Sequence, residues 1–524
     1  MVSELPGFAL LDQRSEERAF PTGRPALLAF VKEDCPTCGT SMPLIEGAHR
    51  AFGAAVDVLA IGQEAEGNAI LVERHDLTLP LLDDSELGVS YRYDLETVPT
   101  VILTDRDGAE VDRFVGFGRE DWRALYGRLA DLSDADSGDV DWERYPLSQP
   151  GCGSRTLEPG IAERLAAEAE GSPLRARRIE VGSADDVDEF MFDQGFTDGL
   201  PVVAPSPERV MRMLAGSRRD AQDVVAIVPP NMGEATVEKI AINAVLAGCK
   251  PEYLPVVIAA VEAVCTEQFN AHGVMATTMG ASPAVIVNGP IRDRIGMNSG
   301  LGALGQGNRA NATIGRAVRL VLRNVGGAKP GGTERSMLGS PAKFTLAFAE
   351  REERSPWEPF HVKHGYEAAE SVVSVFPASP GPLVCVDQTS RTAEALAGSL
   401  AMSLQAISHP RSRSGEILMV LCPEHVDTIG RDGWTRADLQ RRLWELTHRP
   451  VRELLIDERA GAGIPPESFG PDGPSEEQLE ELIPKFQSPD NIHIVIAGSG
   501  AGKFTSIFPG WASGLDSRKI EEVV

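Results

Sequence analysis

The chain has 524 residues, of which 42% are hydrophobic and 24% are charged, and its formal net charge is −27. This length exceeds what one hydrophobic core can organise, so about two to four domains are expected. The composition is that of an ordinary globular protein and excludes a fibrous or disordered one. The acidic balance argues against nucleic acid as a partner and against binding to an anionic membrane surface.

The cysteine content and the hydropathy predict a cellular compartment. Seven cysteines, an odd number, are too few for a secreted disulfide scaffold. Neither a basic and apolar leader nor a run of about 18 apolar residues is seen, so no targeting segment and no transmembrane helix are expected. We therefore expect a cytoplasmic protein, in which a Cys-x-x-Cys motif is more often catalytic than structural.

The first 132 residues alternate short apolar runs with helical patterns. An apolar run at 26–31 predicts a buried strand, and Cys35-Pro36-Thr37-Cys38 follows it at the start of a helix. Apolar residues then recur at helical spacing, and Pro43 predicts a kink one turn into the helix. The later predicted elements are a strand at 56–62, a helix around 68–75, a β-hairpin of 100–104 and 110–115, and a helix at 120–132.

The position of the Cys-x-x-Cys motif predicts its chemistry. A thiolate at a helix N-terminus meets the positive end of the helix dipole and unpaired backbone N–H groups, which lower its pKa. Cys35 is therefore the expected nucleophile, and Cys38, one turn further along, is expected to resolve a mixed disulfide. A zinc site or an inert buried pair is the alternative, but zinc needs four ligands and the sequence has no second Cys-x-x-Cys.

Together these residues resemble the thioredoxin superfamily, in particular its redoxin-type members, over residues 4–132. The resemblance implies a thioredoxin-like domain at 1–132 with a redox-active disulfide. It also implies that Pro99, in Thr97-Val98-Pro99-Thr100, is the family's cis-proline, which faces the dithiol. Peroxidase members carry a threonine three residues before a single reactive cysteine. Because Lys32 occupies that position here, peroxidase activity is not expected.

A third cysteine lies in the segment that follows. Residues 133–182 begin with small, acidic and glycine residues and are predicted to be a linker. Cys152 stands between two glycines in this segment, so an exposed and conformationally free thiol is expected. It is either an incidental thiol or a catalytic relay between the dithiol and the larger domain, with Arg155 nearby to favour its thiolate.

The remaining residues are predicted to form a larger α/β domain of two similar halves, residues 183–365 and 366–524. Both halves alternate apolar strands with helices, and parallel strands joined by crossover helices would place a ligand at their carboxyl ends. Five short landmarks recur in the same order, which indicates an internal repeat with a cleft between the halves. The pairs are 224–229 with 372–377, 236–246 with 392–400, 284–288 and 293–296 with 418–422 and 427–430, 308–310 with 435–437, and 339–345 with 498–505.

Polar residues of this larger domain are candidates for binding a substrate. A glycine- and asparagine-rich stretch precedes the helix predicted at 312–323, and a helix N-terminus suits a carboxylate or phosphate. A turn capped by asparagines is the structural alternative for the same stretch. Lys343 and Lys503 each follow a small-residue turn, but the second does not complete a P-loop, so no NTPase is predicted. The predicted substrate-binding residues are His272, Asn288, Asn298, Asn308, Arg309, Asn311, Arg316, Lys343 and Lys503.

The leading functional hypothesis is a fused thiol-dependent oxidoreductase. Its thioredoxin-like dithiol would exchange electrons with a small, anionic substrate held by the larger domain, using Cys35, Cys38, Pro99 and Cys152. A lyase or sulfur-transfer enzyme with its chemistry in the larger domain is one alternative, and a non-catalytic disulfide-handling chaperone module is another. No cofactor and no metal are expected. The expected partners are a small molecule and an external thiol reductant, and the sequence leaves a homo-oligomer open.

Overall fold

The computed structural model describes residues 5–136, 140–158, 161–169, 171–179, 181–182, 186–511 and 513–521. It divides the chain into two compact units, Met1–Ile179 and Glu180–Val524. Across the described ranges, no helix combines the length and the apolar character needed to cross a bilayer.

The first unit contains a five-stranded sheet with helices around it. Its strands are β1 Phe8–Leu11, β2 Glu17–Phe20, β3 Ala26–Val31, β4 Asp57–Gly62, β5 Leu81–Asp83, β6 Thr97–Val98, β7 Thr100–Thr104, β8 Glu110–Val115, β9 Phe117–Gly118, β10 Ser148–Gln149 and β11 Cys152–Gly153. Its helices are α1 Pro36–Phe52, α2 Ala65–His75, α3 Gly88–Arg92, α4 Arg119–Ser133 and α5 Ile161–Ala169.

The order of the main sheet is β5-β4-β3-β7-β8, with β4 and β5 parallel to the central β3 and with β7 antiparallel to it. Strand β3 is buried along its whole length, as its unbroken apolar sequence predicts. Helix α1 continues through Pro43 and buries Met42, Ile45 and Phe52. The predicted strands, the hairpin of β7 and β8, and the helices of this unit are confirmed.

The segment predicted as a linker differs from the expectation. Strand β10 pairs with β9 and strand β11 pairs with β6, so much of residues 140–158 belongs to the first unit. The sequence resembles a linker because its strands are only two residues long and lie between prolines and glycines. Its structure comes from pairing with distant residues, which local composition does not reveal.

The second unit contains two four-stranded sheets and the helices that cover them. Its strands are β12 Val224–Val228, β13 Gly233–Thr236, β14 Ser282–Asn288, β15 Ala347–Ala349, β16 Val372–Ala378, β17 Leu383–Val386, β18 Ile417–Leu421, β19 Arg449–Pro450, β20 Leu482–Ile483, β21 Ile492–Ile496, β22 Phe504–Pro509 and β23 Asp516–Lys519. Its helices are α6 Val187–Asp193, α7 Pro207–Leu214, α8 Val237–Ala247, α9 Leu254–Val264, α10 Ala271–Met275, α11 Ile291–Arg294, α12 Arg309–Asn324, α13 Phe360–Lys363, α14 Ala393–Gln405, α15 Pro423–Arg431, α16 Arg436–Leu446, α17 Val451–Leu454 and α18 Glu476–Glu480.

The two sheets pack against each other and each carries helices on its other face. The strand order is β15-β14-β16-β23 in one sheet and β17-β22-β18-β21 in the other. In β18, Leu418 and Val420 enter the core shared by the sheets, whereas Ile417, Met419 and Leu421 pack toward the helices α14 and α16. This alternation explains the continuous apolar sequence, because both faces of the strand are buried.

The α/β class is confirmed, but the predicted arrangement of parallel strands is wrong. Each sheet holds one parallel pair, β14 with β15 and β18 with β21, and its other neighbours are antiparallel. Strand periodicity cannot distinguish these cases, because buried strands of either direction have apolar side chains on both faces.

The predicted halves do not coincide with the sheets. Strands β16 and β23 join the sheet of β14, although they lie beyond the predicted boundary at 365. In addition, β12 forms a separate hairpin with β13, whereas β16, its predicted counterpart, lies inside a sheet. Strands β14 and β18 do each have one parallel and one antiparallel neighbour. The internal duplication therefore stays a prediction.

Candidate active site: a dithiol beside a third cysteine

Cys35 is the N-cap residue of α1. It follows the buried strand β3 across a short turn, and its backbone is extended, with φ −97° and ψ 109°. Pro36 then opens the helix, a position where its missing N–H costs no hydrogen bond. The Cys35 Sγ accepts a hydrogen bond from the backbone N–H of Cys38 at 3.4 Å. The start of the helix thus directs a donor at the sulfur, as the sequence predicts.

Cys38 lies one turn further along and is completely buried. Its Sγ accepts a hydrogen bond from the backbone N–H of Lys32 at 3.5 Å. Pro99 follows a cis peptide bond, as the resemblance implies, and the carbonyl oxygen of the preceding Val98 accepts a hydrogen bond from the Cys35 thiol at 3.5 Å. The structure therefore brings Cys35, Cys38 and the cis-proline turn together.

The surroundings of the two thiols separate their acidities. A hydrogen bond from the Cys38 thiol is the strongest influence that lowers the pKa of Cys35, to about 5, and the Cys152 thiol and the backbone N–H groups of Thr37 and Cys38 add to it against the effect of burial. Burial raises the pKa of Cys38, and the neighbouring Cys35 raises it further. At neutral pH the pair is thus one thiolate beside one thiol, as a nucleophile and a resolving cysteine require.

The third cysteine belongs to a segment that lies beside this pair. Residues 148–156 form what we call the Cys152 segment. Within it, Cys152 pairs with Val98 and Gly153 with Thr97 in antiparallel register, and the N–H of Ser154 donates to the carbonyl of Glu96 at 2.9 Å. The Cys152 thiol is half-buried and hydrogen-bonds with Cys35. The expectation of an exposed and free thiol is therefore wrong.

Side chains from α1 and from the end of β4 hold the Cys152 segment in place. The Thr37 hydroxyl donates to the carbonyl of Pro150 at 2.6 Å, and the Thr40 hydroxyl donates to Gln149 Oε1 at 3.1 Å. The Gln63 amide donates to Ser154 Oγ at 2.8 Å. Two of these contacts come from the helix that carries Cys35, so the segment and the nucleophile share one support.

Close backbone packing also requires a glycine in the segment. A Cβ on Gly151 would lie 2.4 Å from Thr97 Cγ2 and 2.7 Å from the carbonyl oxygen of Val98, whereas a Cβ on Gly153 would meet nothing within 4 Å. Only the first of the two glycines that flank Cys152 is therefore needed for the segment to approach the cis-proline turn.

The predicted influence of Arg155 on Cys152 is wrong. Arg155 Nη1 donates to the carbonyl of Gln63, and its guanidinium lies 3.8 Å from Glu64 and 3.5 Å from Glu158. The hydrogen bond with Cys35 and then burial raise the pKa of Cys152 to about 11. Cys152 is therefore a neutral thiol while Cys35 is ionised.

The asparagine-rich stretch of the second unit bonds mainly with itself. Asn308 caps α12 by accepting the N–H of Asn311 at 3.0 Å, and it donates to the carbonyl of Gly296. The Asn311 amide donates to the carbonyl of Asn298 at 2.9 Å, and its oxygen accepts the N–H of Asn298. This is the capped turn that the sequence allows as an alternative to a ligand loop.

Several other predicted substrate contacts have protein partners. Arg316 forms a two-pronged ion pair with Asp198, at 2.9 and 2.7 Å. Lys343 lies 3.1 Å from Glu334, and the Asn288 amide donates to Glu350 at 2.6 Å. Of the remaining candidates, His272 on α10 is exposed, Lys503 is half-buried, and Arg309 lines a pocket. The role of all nine residues in binding a substrate stays a prediction.

The pocket beside Arg309 is a feature that sequence reasoning missed. It has a volume of about 270 Å³ and is lined by four cationic side chains together with apolar ones, and among its described lining residues none is acidic. Arg212 and Lys250 have no ion-pair partner within the described part of the chain. The signal in the sequence is the i, i+3 spacing of two arginines on α7. The lining residues are Val203, Arg209, Arg212, Met213, Val245, Gly248, Cys249, Lys250, Pro251 and Arg309.

The geometry of the dithiol predicts a pH titration that can be followed by the absorbance of thiolates near 240 nm. Because the pKa of Cys35 is lowered to about 5, the absorbance of the reduced chain should rise as the pH increases through about 5, while the other thiols remain protonated. The step should vanish in Cys35→Ser. In Cys38→Ala it should move to higher pH, since the side-chain hydrogen bond that lowers the pKa of Cys35 most strongly is removed. A reduced chain without any step below pH 7 would contradict this assignment.

The chain has partial similarity to known proteins. Residues 3–109 match the AhpC/TSA family. The methylamine utilization protein MauD of Methylobacillus flagellatus is 35% identical over 92 residues, which are 17% of this chain and 43% of that protein. MauD of Methylophilus methylotrophus is 30% identical over 110 residues, 21% of this chain and 51% of that protein. The chain thus spans about half the length, or less, of the curated relatives that it matches.

Solved structures match about a quarter of the chain. A putative thiol:disulfide interchange protein DsbE from Chlorobium tepidum is 24% identical, with a TM-score of 0.24 over 25% of this chain and 95% of that one. StoA from Bacillus subtilis is 19% identical, with a TM-score of 0.21 over 24% of this chain and 99% of that one. The family match, the identity to MauD and the dithiol beside a cis-proline agree with one another. The N-terminal segment of this chain belongs to the thioredoxin superfamily.

Proposed function

We propose that the chain is a thiol-dependent oxidoreductase, in which the dithiol of the first unit exchanges electrons with a small anionic substrate bound by the second unit. The observation that carries the proposal is the pairing of a thiolate, Cys35, with a buried thiol, Cys38, at the start of α1. This asymmetry suits a two-step exchange, because one sulfur is ready to attack and the other is held in reserve.

The reaction on a disulfide substrate would proceed by two displacements. The Cys35 thiolate attacks one sulfur of the substrate, forming a mixed disulfide and releasing the other sulfur as a thiolate. Cys38 then loses its proton and attacks Cys35 Sγ, which releases the second substrate thiolate and leaves a Cys35–Cys38 disulfide. The charge of Cys35 contributes to the high pKa of Cys38. Formation of the mixed disulfide removes that charge, so Cys38 becomes a better nucleophile at the step that needs it.

The cationic pocket supports an anionic substrate. Four cationic side chains line a pocket of about 270 Å³. The pocket is therefore positively charged, although the chain as a whole has a net charge of −27. The planar guanidinium groups of the three arginines suit carboxylates and phosphates, and the apolar lining suits a short carbon skeleton. An external thiol reductant would return the dithiol to its reduced state after each cycle. The cytoplasmic location inferred from the sequence stays a prediction.

Substitution of the nucleophile tests the redox part of the proposal. We expect the reduced full chain to reduce glutathione disulfide, and Cys35→Ser to lower the second-order rate constant by at least about tenfold at pH 7, because an ordinary cysteine is only a few per cent thiolate there. Release of glutathione measures the rate. Cys265→Ser, a half-buried cysteine of the second unit, is the matched control and should keep the rate. Full activity in Cys35→Ser would refute the proposal.

Inorganic phosphate tests the cationic pocket. We expect phosphate to raise the melting temperature of the full chain, since a ligand that binds only the folded state stabilises it. The double variant Arg212→Ala, Lys250→Ala should lose this shift, because both side chains line the pocket. Arg335→Ala, an exposed arginine outside the pocket, should retain it. An equal shift in the double variant would show that phosphate binds elsewhere.

A further inference from the structure

The nucleophile of the first unit is covered, whereas the third cysteine is accessible. Cys35 is only 1% exposed, and Cys38 is fully buried. Cys152 is half-buried and is the most exposed of these three thiols. A solute that approaches the dithiol of the first unit therefore meets Cys152 before it can reach Cys35.

Cys35 and Cys152 converge on the same backbone group. The carbonyl of Val98 accepts a hydrogen bond from the Cys35 thiol at 3.5 Å, and Val98 is the cross-strand partner of Cys152. The two thiols also hydrogen-bond with each other. The two cysteines of the potential Cys35–Cys152 bond thus meet at Val98 before any bond forms.

The Cys152 segment also occupies a backbone edge that an extended substrate would need. Residues 96–98 pair with residues 152–154 of the same chain, through β6 with β11 and through the Glu96 carbonyl. A polypeptide cannot add a strand at this edge while the segment is there. The arrangement favours small thiols and disulfides over unfolded proteins.

We propose that Cys152 is a resident third thiol of the dithiol site: it forms a disulfide with Cys35 by exchange, and it is the sulfur that small external thiols attack when they reduce that site. The inference rests on the proposed thiol–disulfide function and specifies its substrate class and its route. It also gives the Cys152 segment a direct part in the thiol–disulfide exchange.

The exchange between Cys152 and the Cys35–Cys38 disulfide needs no added oxidant. In the oxidised protein, the Cys152 thiolate attacks Cys35 Sγ of the Cys35–Cys38 disulfide. The Cys35–Cys152 bond forms, and Cys38 leaves as a thiolate that takes up the proton lost by Cys152.

A small external thiolate then attacks the accessible Cys152 Sγ and displaces Cys35. Cys35 is the better leaving group of the two, because its thiolate is stabilised by hydrogen bonds from Thr37 and Cys38. A second external thiolate releases Cys152, and the net result is a reduced dithiol and one external disulfide.

The electrostatics of the site make Cys152 responsive to the redox state. The hydrogen bond with Cys35 is the largest influence that raises the pKa of Cys152, and the charge of Cys35 adds to it. Both influences require a Cys35 thiolate and are lost when Cys35 is in a disulfide. Cys152 is therefore suppressed as a nucleophile in the reduced protein and released for attack in the oxidised one.

The full-length Cys38→Ser variant tests the proposal with glutathione disulfide. Cys35 attacks the reagent and releases one glutathione, and Cys152 then displaces the second. We expect two glutathiones per chain and, after alkylation with iodoacetamide and digestion with trypsin, a cross-link between the peptides 33–50 and 145–155. Cys38→Ser with Cys265→Ser should give the same products. Cys38→Ser with Cys152→Ser should stop at one glutathione and keep the adduct on Cys35.

A stable glutathione adduct on Cys35 in Cys38→Ser, with Cys152 alkylated by iodoacetamide, would overturn the inference while leaving the proposed function intact. A failure of the proposed function is a different result, in which Cys35 forms no adduct at all.

A pair of glycine variants tests the covering of Cys35 independently. Gly151→Ala places a Cβ against Thr97 and Val98, so it should displace the segment and increase the rate at which iodoacetamide alkylates Cys35. Gly153→Ala meets no neighbouring atom and should behave as the unsubstituted chain. Equal alkylation rates for both variants and the unsubstituted chain would contradict the covering.

Discussion

The stabilised thiolate of Cys35 is the interaction on which the account of this protein depends. The buried strand β3 ends shortly before Cys35, and Cys35 is the N-cap residue of α1. Its sulfur therefore accepts hydrogen bonds from backbone N–H groups that have no partner within the helix. The Cys38 thiol and the Cys152 thiol complete the set of donors. A nearby cation or metal can also lower the pKa of a thiol, but the pKa of Cys35 is lowered by hydrogen bonds.

Much of the first unit could be predicted from the sequence because its signals are local. The apolar run of β3, the motif at the start of α1 and the turn between β7 and β8 each specify structure within a few residues. The position of Cys152 could not be predicted in the same way. Its strand has two residues, pairs with a strand more than fifty residues earlier, and depends on one glycine that leaves room for the partner backbone.

The second unit shows two further limits of sequence reasoning. Buried strands have apolar side chains on both faces, so the sequences of β14 and β18 do not reveal that each strand has one antiparallel neighbour. Polar residues close in sequence also suggested a site, whereas the side chains of Asn298, Asn308 and Asn311 bond with the backbone of their own stretch. The cationic pocket instead collects residues from α7, from the end of α8 and from the start of α12. Such convergence depends on packing, which no single segment reveals.

The parts of the chain differ in what they contribute. The thioredoxin-like fold stabilises a thiolate and keeps its resolving partner protonated, and the Cys152 segment lies beside that thiolate. The cationic pocket of the second unit would select the charge of the substrate. Helix α1 contributes both to the thiolate and to the placement of the segment, since Cys35 is its N-cap residue and its Thr37 and Thr40 hydroxyls donate to the Cys152 segment.

Hydrogen exchange of the backbone amides in residues 145–155 of the reduced full chain tests the central claim most directly. The N–H of Ser154 donates to the Glu96 carbonyl, and the N–H of Arg155 donates to Gln63 Oε1. The account predicts that these two amides exchange much more slowly than in the isolated peptide, because exchange then requires the segment to leave the dithiol. Exchange at the rate of the isolated peptide would show that the segment does not rest on Cys35, and would contradict the account.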